Sequence, residues 1–339
     1  MEKNFTDKLE TILKKRFAGF RRLISCDRLT AGANKETYRI VVETDAGERR
    51  LAMRRAPGGA FLPAREGGAG LYTEVNLLTS ARRCGVPEPE IYFTLETEDG
   101  LGQAFLMEWL DGETLGARIV RSETLAAIRP RLAYECGQIL ARIHSIDLGE
   151  TGLAKVLDTM SPERLVDQTW DFYKALKTPQ PMIDYAARWL KEHLPHNARS
   201  ALTHGDFRNG NIMVSPKGIV AVLDWELSHI GDPMRDLGWL CTNSWRFGKS
   251  DLPVGGFGHY EDLFHGYEEA SGQKVDPEHV KFWEVFGSFW WAMGCLRMVD
   301  IYRSGGDKSL ERLGIGRRSS ECQVDCVNLL IPGPVELVA

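Results

Sequence analysis

Asp206, Asn211 and Asp224 are spaced so that they could serve one reaction centre. The first two lie in His204-Gly-Asp-Phe-Arg-Asn-Gly-Asn211, and the third in Leu223-Asp-Trp-Glu226. Gly205, Asn209 and Gly210 are poor helix formers, so the first stretch reads as a loop. Asp224 ends the apolar run 218–223, which reads as a buried strand. Such a set supplies one carboxylate to orient and deprotonate a hydroxyl. It also supplies an amide and a second carboxylate, hard oxygen donors of the kind magnesium takes. That is the minimum for moving the γ-phosphoryl group of a nucleotide onto an alcohol. A carboxylate at the end of a buried strand also calls for a counter-charge such as a cation. The competing readings are an Asx-turn for Asp206, a turn amide for Asn211 and a strand-end cap for Asp224.

Bulk properties narrow the partners. With 339 residues, 43% hydrophobic and 26% charged, the chain has room for one large or two medium globular domains. A net charge of -5 gives no electrostatic reason to expect nucleic acid. The seven cysteines are scattered without zinc-site or disulfide-framework spacing, which points to reduced thiols and a cytoplasmic location. The N-terminus shows no apolar signal segment. The most apolar helix candidate, 282–298, carries Glu284 and Arg297, so it reads as core, and no membrane association is expected. The oligomeric state is not legible.

The elements that must position the site change character along the chain. Phe5, Leu9, Ile12, Leu13 and Phe17 share one face of a first helix. Strands are expected at 22–29, 36–43 and 49–55, then a glycine-rich loop at 57–70, a helix at 71–84, and strands at 91–95 and 103–109. Beyond Asp111-Gly112 the chain reads as helical: 125–146, 162–176, 182–194, 233–241, 259–271, 278–303 and 308–330. The exception is 201–224, short strands around the chemistry. The expected organisation is α+β: a strand-rich N-lobe over 1–108, a hinge over 109–113 and a helical C-lobe over 114–339.

In order, the chain has a turn with a glycine, Leu51-Ala-Met-Arg54, a helix with Glu74, Met107-Glu-Trp-Leu110, then the 204–211 loop and Asp224. This resembles the protein-kinase-like fold of aminoglycoside phosphotransferases, a small antiparallel-sheet N-lobe with a larger helical C-lobe. Arg54-Arg55 before Pro57-Gly-Gly59, the form of the 204–211 loop, and Gly231-Asp-Pro-Met-Arg-Asp-Leu-Gly238 resemble the branch related to kinase domains attached to some acyl-CoA dehydrogenases. The resemblance covers about residues 25–300, and the 204–211 motif with Asp224 is its specific part.

The resemblance implies a role for each matching residue. Asp206 is the catalytic base, and Asn211 and Asp224 are the magnesium ligands. Arg208 braces the transferring phosphoryl oxygens, with a structural ion pair nearly as well supported. Arg54 holds the α- and β-phosphates of ATP while pairing with Glu74. It departs from the lysine usual there, and strand alternation sends Arg54 and Arg55 to opposite faces, leaving Arg55 as the alternative. Gly32, Asn34 and Thr37 are the expected phosphate contacts of a loop that lacks the full glycine pattern. The carbonyl of Glu108 and the N–H of Leu110 are the expected adenine contacts. His204 is read as bracing its loop, Asp232 as a helix cap and Asp236 as a partner of the loop backbone. Trp239, Trp245, Trp283, Trp290 and Trp291 suit either an apolar acceptor pocket or the core. The expected partner is a small-molecule hydroxyl. Residues 240–310, with ten acidic and seven basic side chains, pick out no acceptor charge. The branch tilts the reading to a hydroxy acid or hydroxyacyl thioester, with an aminoglycoside or a non-catalytic nucleotide-binding module as alternatives.

Overall fold

A computed structural model describes residues 3–29, 35–60, 70–196, 198–331 and 333. The chain divides into two compact units. One is Met1–Asp111 with Asp147–Leu157 and Trp225–Leu227; the other is Gly112–Ile146, Asp158–Asp224 and Ser228–Ala339.

The first unit carries α1 (Lys3–Arg16), β1 (Phe20–Leu29), β2 (Glu36–Thr44), β3 (Gly47–Arg55), α2 (Leu71–Arg83), β4 (Ile91–Thr94) and β5 (Ala104–Glu108). Its strands form one antiparallel sheet in the order β1-β2-β3-β5-β4. In β2, Glu36, Tyr38, Ile40, Val42 and Thr44 are buried while the residues between them are not, the period of two that puts alternate side chains on one face. The apolar face of α1 packs with that face: Leu9, Ile12, Leu13, Phe17, Ile40, Val42, Leu51, Met53 and Leu106 form one buried cluster. The helix periodicity marks Leu9, Ile12 and Leu13 of α1 and Phe17 just past its end.

The second unit is mostly helical. It carries α3 (Gly116–Ile119), α4 (Leu132–His144), β6 (Thr159–Met160), α5 (Pro162–Ala175), α6 (Pro181–Glu192), β7 (Ala201–Thr203), β8 (Ile212–Ser215), β9 (Gly218–Val222) and β10 (His229–Gly231). Helices α7 (Met234–Cys241), α8 (Tyr260–Ser271), α9 (Pro277–Arg303), α10 (Leu310–Arg317) and α11 (Ser319–Leu330) complete it. Short sheets β6-β10-β7 and β8-β9 sit among the helices, so the α+β class expected from the sequence is the one found. Gly137 of α4 and Gly266 of α8 allow their helices to touch. A Cβ on Gly137 would lie 2.2 Å from Leu263 O, and one on Gly266 2.2 Å from Tyr134 O.

Two helix expectations need correcting. The helix expected over 125–146 begins only at Leu132, and short 3-10 turns precede it. Pro130 is the reason: it has no N–H and restricts the residue before it, so apolar periodicity continued where helical hydrogen bonding could not. The helix expected over 308–330 is two, α10 and α11, broken at Arg318. Gly314 and Gly316 each weaken a helix interior by about 1 kcal/mol. Gly316 also has no room for a side chain, since a Cβ there would lie 2.2 Å from Val299.

A buried acid in α9 makes stability depend on pH. Glu284 accepts from Arg246 Nη2 at 2.7 Å and from Tyr260 Oη at 2.8 Å. Burial pushes its carboxyl up to about 7 despite the Arg246 charge and the Tyr260 hydroxyl. The folded state thus holds this proton more tightly than the unfolded chain does. The stability it contributes is full below the ordinary carboxylate range and is lost as pH rises through about 7. Buried His204, whose pKa is lowered by desolvation, acts in the opposite sense across part of that window. The clean observable is therefore a difference. The melting temperature of Glu284→Gln should rise relative to wild type between pH 5 and pH 8. The free-energy swing should be on the order of 3 kcal/mol. A gap that stays constant with pH would show that Glu284 does not titrate there.

Candidate active site

The loop after β7 is shaped from beneath by α7. Asp236, fully buried, accepts from His204 N at 2.7 Å and Gly205 N at 2.9 Å. His144 Nε2 meets Asp236 Oδ2 at 3.1 Å, and Tyr267 Oη meets His144 Nδ1 at 3.1 Å. Because a carboxylate only accepts, the His144 proton sits on Nε2. Burial pushes the Asp236 carboxyl up, but the hydrogen bond and charge of His144, with His204 and Arg235, pull harder and hold it at about 2. Arg235 Nη1 donates to Gly205 O at 2.7 Å, and buried Asn209 donates Nδ2 to Gly255 O at 2.7 Å. His204 accepts at Nδ1 from Asp206 N at 3.2 Å, and desolvation lowers its pKa, which favours the neutral ring. These contacts give His204 and Asp236 bracing positions. Asp232 accepts from Met234 N at 3.0 Å in the first turn of α7 and also binds His279 and Trp283.

On this frame the Asp206 side chain is fixed at both oxygens. Oδ1 accepts from Trp239 Nε1 at 2.7 Å and Arg208 Nε at 3.1 Å; Oδ2 accepts from Asn211 Nδ2 at 2.6 Å. The same Asn211 nitrogen lies 3.0 Å from Asp206 O. Two acceptors on one side of the amide fix its orientation, and its oxygen is the atom left to face a cation. The Arg208 guanidinium lies 4.4 Å from the centre of the Trp245 ring. Asp224 reaches the neighbourhood through the β8–β9 ladder. Ile212 pairs with Val222, and Leu223 N donates to Asn211 O at 2.7 Å, so Asn211 and Asp224 stand at one end of the same hairpin. Asp224 has φ of 64°. Asp tolerates that left-handed backbone better than most residues, at a cost of about 1 kcal/mol, and such conformations cluster at functional sites. Asn211 and Asp224 are hard oxygen donors, and the amide orientation fits a magnesium ion that keeps waters in its remaining positions.

In the first unit the sheet gathers a basic pair around Glu74 of α2, which is 1% exposed. Thr37 is the cross-strand partner of Arg54, and Glu36 of Arg55. Alternation therefore puts Lys35, Thr37 and Arg54 on one face and Glu36 with Arg55 on the other. Arg54 Nη1 lies 2.6 Å from Glu74 Oε1, and Lys35 Nζ 2.6 Å from Glu74 Oε2. Arg55 Nη1 instead meets Glu36 Oε2 at 2.7 Å. The Arg54 contact is an ion pair by distance but lacks hydrogen-bond geometry, and Arg54 Nε is buried without a partner among the described residues. Glu108 closes β5, and its N–H donates to Glu90 O at 2.8 Å; Leu110 follows the strand. Gly32 and Asn34 lie outside the described residues.

The structure thus brings together Asp206, Arg208 and Asn211 by direct contact, with Asp224 at the same hairpin end. It separately brings together Thr37, Arg54 and Glu74. Four participants were not foreseen in these positions. Lys35 shares Glu74, and His144 and Arg235 hold the loop from below. Trp239, read from sequence as pocket or core, puts its indole N–H on Asp206. The signal was available for this one: Trp239 follows Asp236 by three residues, so on a helix the two share a face. Gly238 keeps that helix tight against α9, where a Cβ would lie 2.5 Å from Trp283 Cβ.

Comparison with known proteins places the chain. The model of the phosphotransferase enzyme family matches residues 25–272, and the chain belongs to that family. Among curated relatives, acyl-CoA dehydrogenase family member 10 of Mus musculus is 33% identical over 222 residues, 62% of this chain and 19% of that protein. Acyl-CoA dehydrogenase family member 11 of Gallus gallus is 30% identical over 224 residues, 64% of this chain and 27% of that protein. The matched segment thus spans about a quarter or less of these relatives. A solved structure from Ralstonia eutropha, assigned as an aminoglycoside phosphotransferase, superposes with a TM-score of 0.75 at 23% identity, covering 94% of this chain and 95% of that one. At that identity the likeness shows the fold, which is kinase-like. No helix among the described residues is long and apolar enough to cross a membrane.

Proposed function

We propose that the protein transfers the γ-phosphoryl group of ATP to the hydroxyl of a small molecule, with magnesium as the required ion. The observation that carries this is the arrangement at Asp206. Its carboxylate is oriented by three donors, while Asn211 spends its nitrogen on it and keeps its oxygen for a cation. In the reaction, the acceptor oxygen forms its bond to the γ-phosphorus as the bond to the β–γ bridging oxygen breaks. The hydroxyl proton passes to Asp206 and ADP leaves. Asn211 and Asp224 would hold magnesium, which when bound neutralises charge on the β- and γ-phosphate oxygens. Arg54 offers its partly exposed guanidinium to the phosphates, with Thr37 on the same face, and Glu74 fixes the Arg54 head. Gly32 and Asn34 are assigned to the same phosphates, and the backbone of Glu108 and Leu110 to adenine. Arg208, held against Trp245, is near enough to Asp206 to brace the phosphoryl group in transfer.

For the acceptor, the reading is an oxygen-rich anion such as a hydroxy acid or a hydroxyacyl thioester. The groups that meet Asp206 are donors: the Arg208 guanidinium, the Trp239 indole N–H and the Asn211 amide. Donors suit carboxylate and carbonyl oxygens and do nothing for an ammonium group. The acyl-CoA dehydrogenase relatives favour the same class. The second reading, an aminoglycoside acceptor, is favoured by the name of the Ralstonia eutropha neighbour. A magnesium-dependent ADP-release screen over hydroxyacyl-CoAs, free hydroxy acids, aminoglycosides and amino alcohols separates them. Turnover is expected with the first two groups. Turnover confined to aminoglycosides would overturn the acceptor assignment.

A further inference from the structure

The two oxygens of Asp206 are not equivalent. A carboxylate oxygen has two lone pairs. At Oδ1 both are taken, by Trp239 Nε1 at 2.7 Å and Arg208 Nε at 3.1 Å. At Oδ2 one is taken, by Asn211 Nδ2 at 2.6 Å, and one remains. The donors at Oδ1 are themselves held in a tryptophan cluster. The Trp239 ring packs edge-on against Trp245 at 5.0 Å and Trp290 at 5.3 Å, and Trp245 carries the Arg208 guanidinium on its face at 4.4 Å. Trp239 is 4% exposed and lies on α7, the helix whose Asp236 holds the loop backbone.

We propose that Trp239 is a positioning residue for phosphoryl transfer. Its neutral indole N–H closes Oδ1 without adding charge, so that Oδ2 alone meets the acceptor hydroxyl and takes its proton. The inference rests on the phosphotransferase reading above and assigns within it the atom that serves as base. α7 then has two tasks: Asp236 fixes the loop backbone and Trp239, one turn on, fixes the rotation of the Asp206 side chain. Without the indole N–H, Oδ1 regains a free lone pair and the carboxylate can turn, so the hydroxyl is offered two competing acceptors.

Trp239→Phe keeps an aromatic ring in the cluster and removes the donor. Hydrogen bonds to charged groups contribute about 1.5–3 kcal/mol. If that is realised in the transition state, kcat should fall on the order of 10-fold to 100-fold, with KM for Mg-ATP within about twofold of wild type. Tyr260→Phe is the control for stability: it removes a hydroxyl bonded to Glu284 Oε2 at 2.8 Å that does not touch Asp206. It should lower the melting temperature and leave kcat near wild type. Slow hydrolysis of ATP, with water as the hydroxyl, serves as a readout alongside acceptor phosphorylation. Wild-type turnover with Trp239→Phe at an undiminished kcat overturns this proposal alone. A parallel loss of kcat in both variants, tracking their stability, also overturns it, because it would show a structural effect. A wild-type protein that neither transfers nor hydrolyses overturns the phosphotransferase reading beneath it and the proposal together.

Discussion

Replacing Asp206 with alanine should lower kcat by about 10²–10⁴ while Mg-ATP affinity stays near wild type, because the residue acts on the acceptor's proton rather than on the nucleotide. Asp206→Asn should fall in the same range for two reasons. An amide nitrogen cannot take the proton. It must also face either Asn211 Nδ2 on one side or Trp239 and Arg208 on the other, all of them donors, so the side chain has no orientation that keeps the native bonds. Steady-state kinetics with calorimetric titration of Mg-ATP checks both halves. A variant that keeps wild-type turnover removes Asp206 from the chemistry. A variant that loses nucleotide affinity in proportion to turnover reassigns it to binding.

The largest stability effect should come from Asp236. Its carboxylate is fully buried, accepts two loop N–H groups and meets His144; burial pushes its pKa up, but His144, His204 and Arg235 outweigh that and hold it at about 2. Because its pKa lies below the ordinary carboxylate value, the stability it contributes is present above that range and is lost only as pH falls toward 2. Asp236→Ala strands two backbone donors and leaves the Arg235 charge without its neighbour, so it should cost about 3–5 kcal/mol. It should abolish turnover in whatever protein remains folded, since the Asp206 loop loses its support. Denaturant unfolding near pH 7 checks the first part. A loss under 1 kcal/mol would show that the loop is held by other means.

What the sequence made legible follows from the range of the physics involved. Local patterns reported well: the α1 face, the alternation of β2, and the loop breakers around Asp206 all depend on neighbours within a few residues. The opposite facings of Arg54 and Arg55 also followed from alternation, although the choice of partner did not, because Glu74 and Glu36 are reached only through the fold. The failures were of two kinds. Over 125–131, apolar spacing outvoted Pro130, although a missing N–H cannot be offset by periodicity. Over 308–330, the continuous pattern hid a break at Arg318, two residues after a glycine that leaves no room for a side chain against Val299 of α9. The short strands β6 and β10 are three residues or fewer and owe their hydrogen bonds to partners distant in the chain, so no local signal marked them. The Asp206–Asn211–Asp224 set was legible because its spacing is dictated by a loop and a hairpin. Trp239, which donates to Asp206, and Arg235, which donates to Gly205 O in the same loop, come from α7, and their types alone do not announce the role.

Phosphorus NMR of the products tests the chemistry most directly. With the acceptor found in the ADP-release screen, wild-type protein and Mg-ATP should yield ADP and a phosphate monoester on the former hydroxyl in equal amounts, and neither should form once magnesium is chelated. Phosphate appearing on an amine or carboxylate, nucleotide consumed with inorganic phosphate as the only product, or undiminished transfer without the metal would contradict the roles given to Asp206, Asn211 and Asp224.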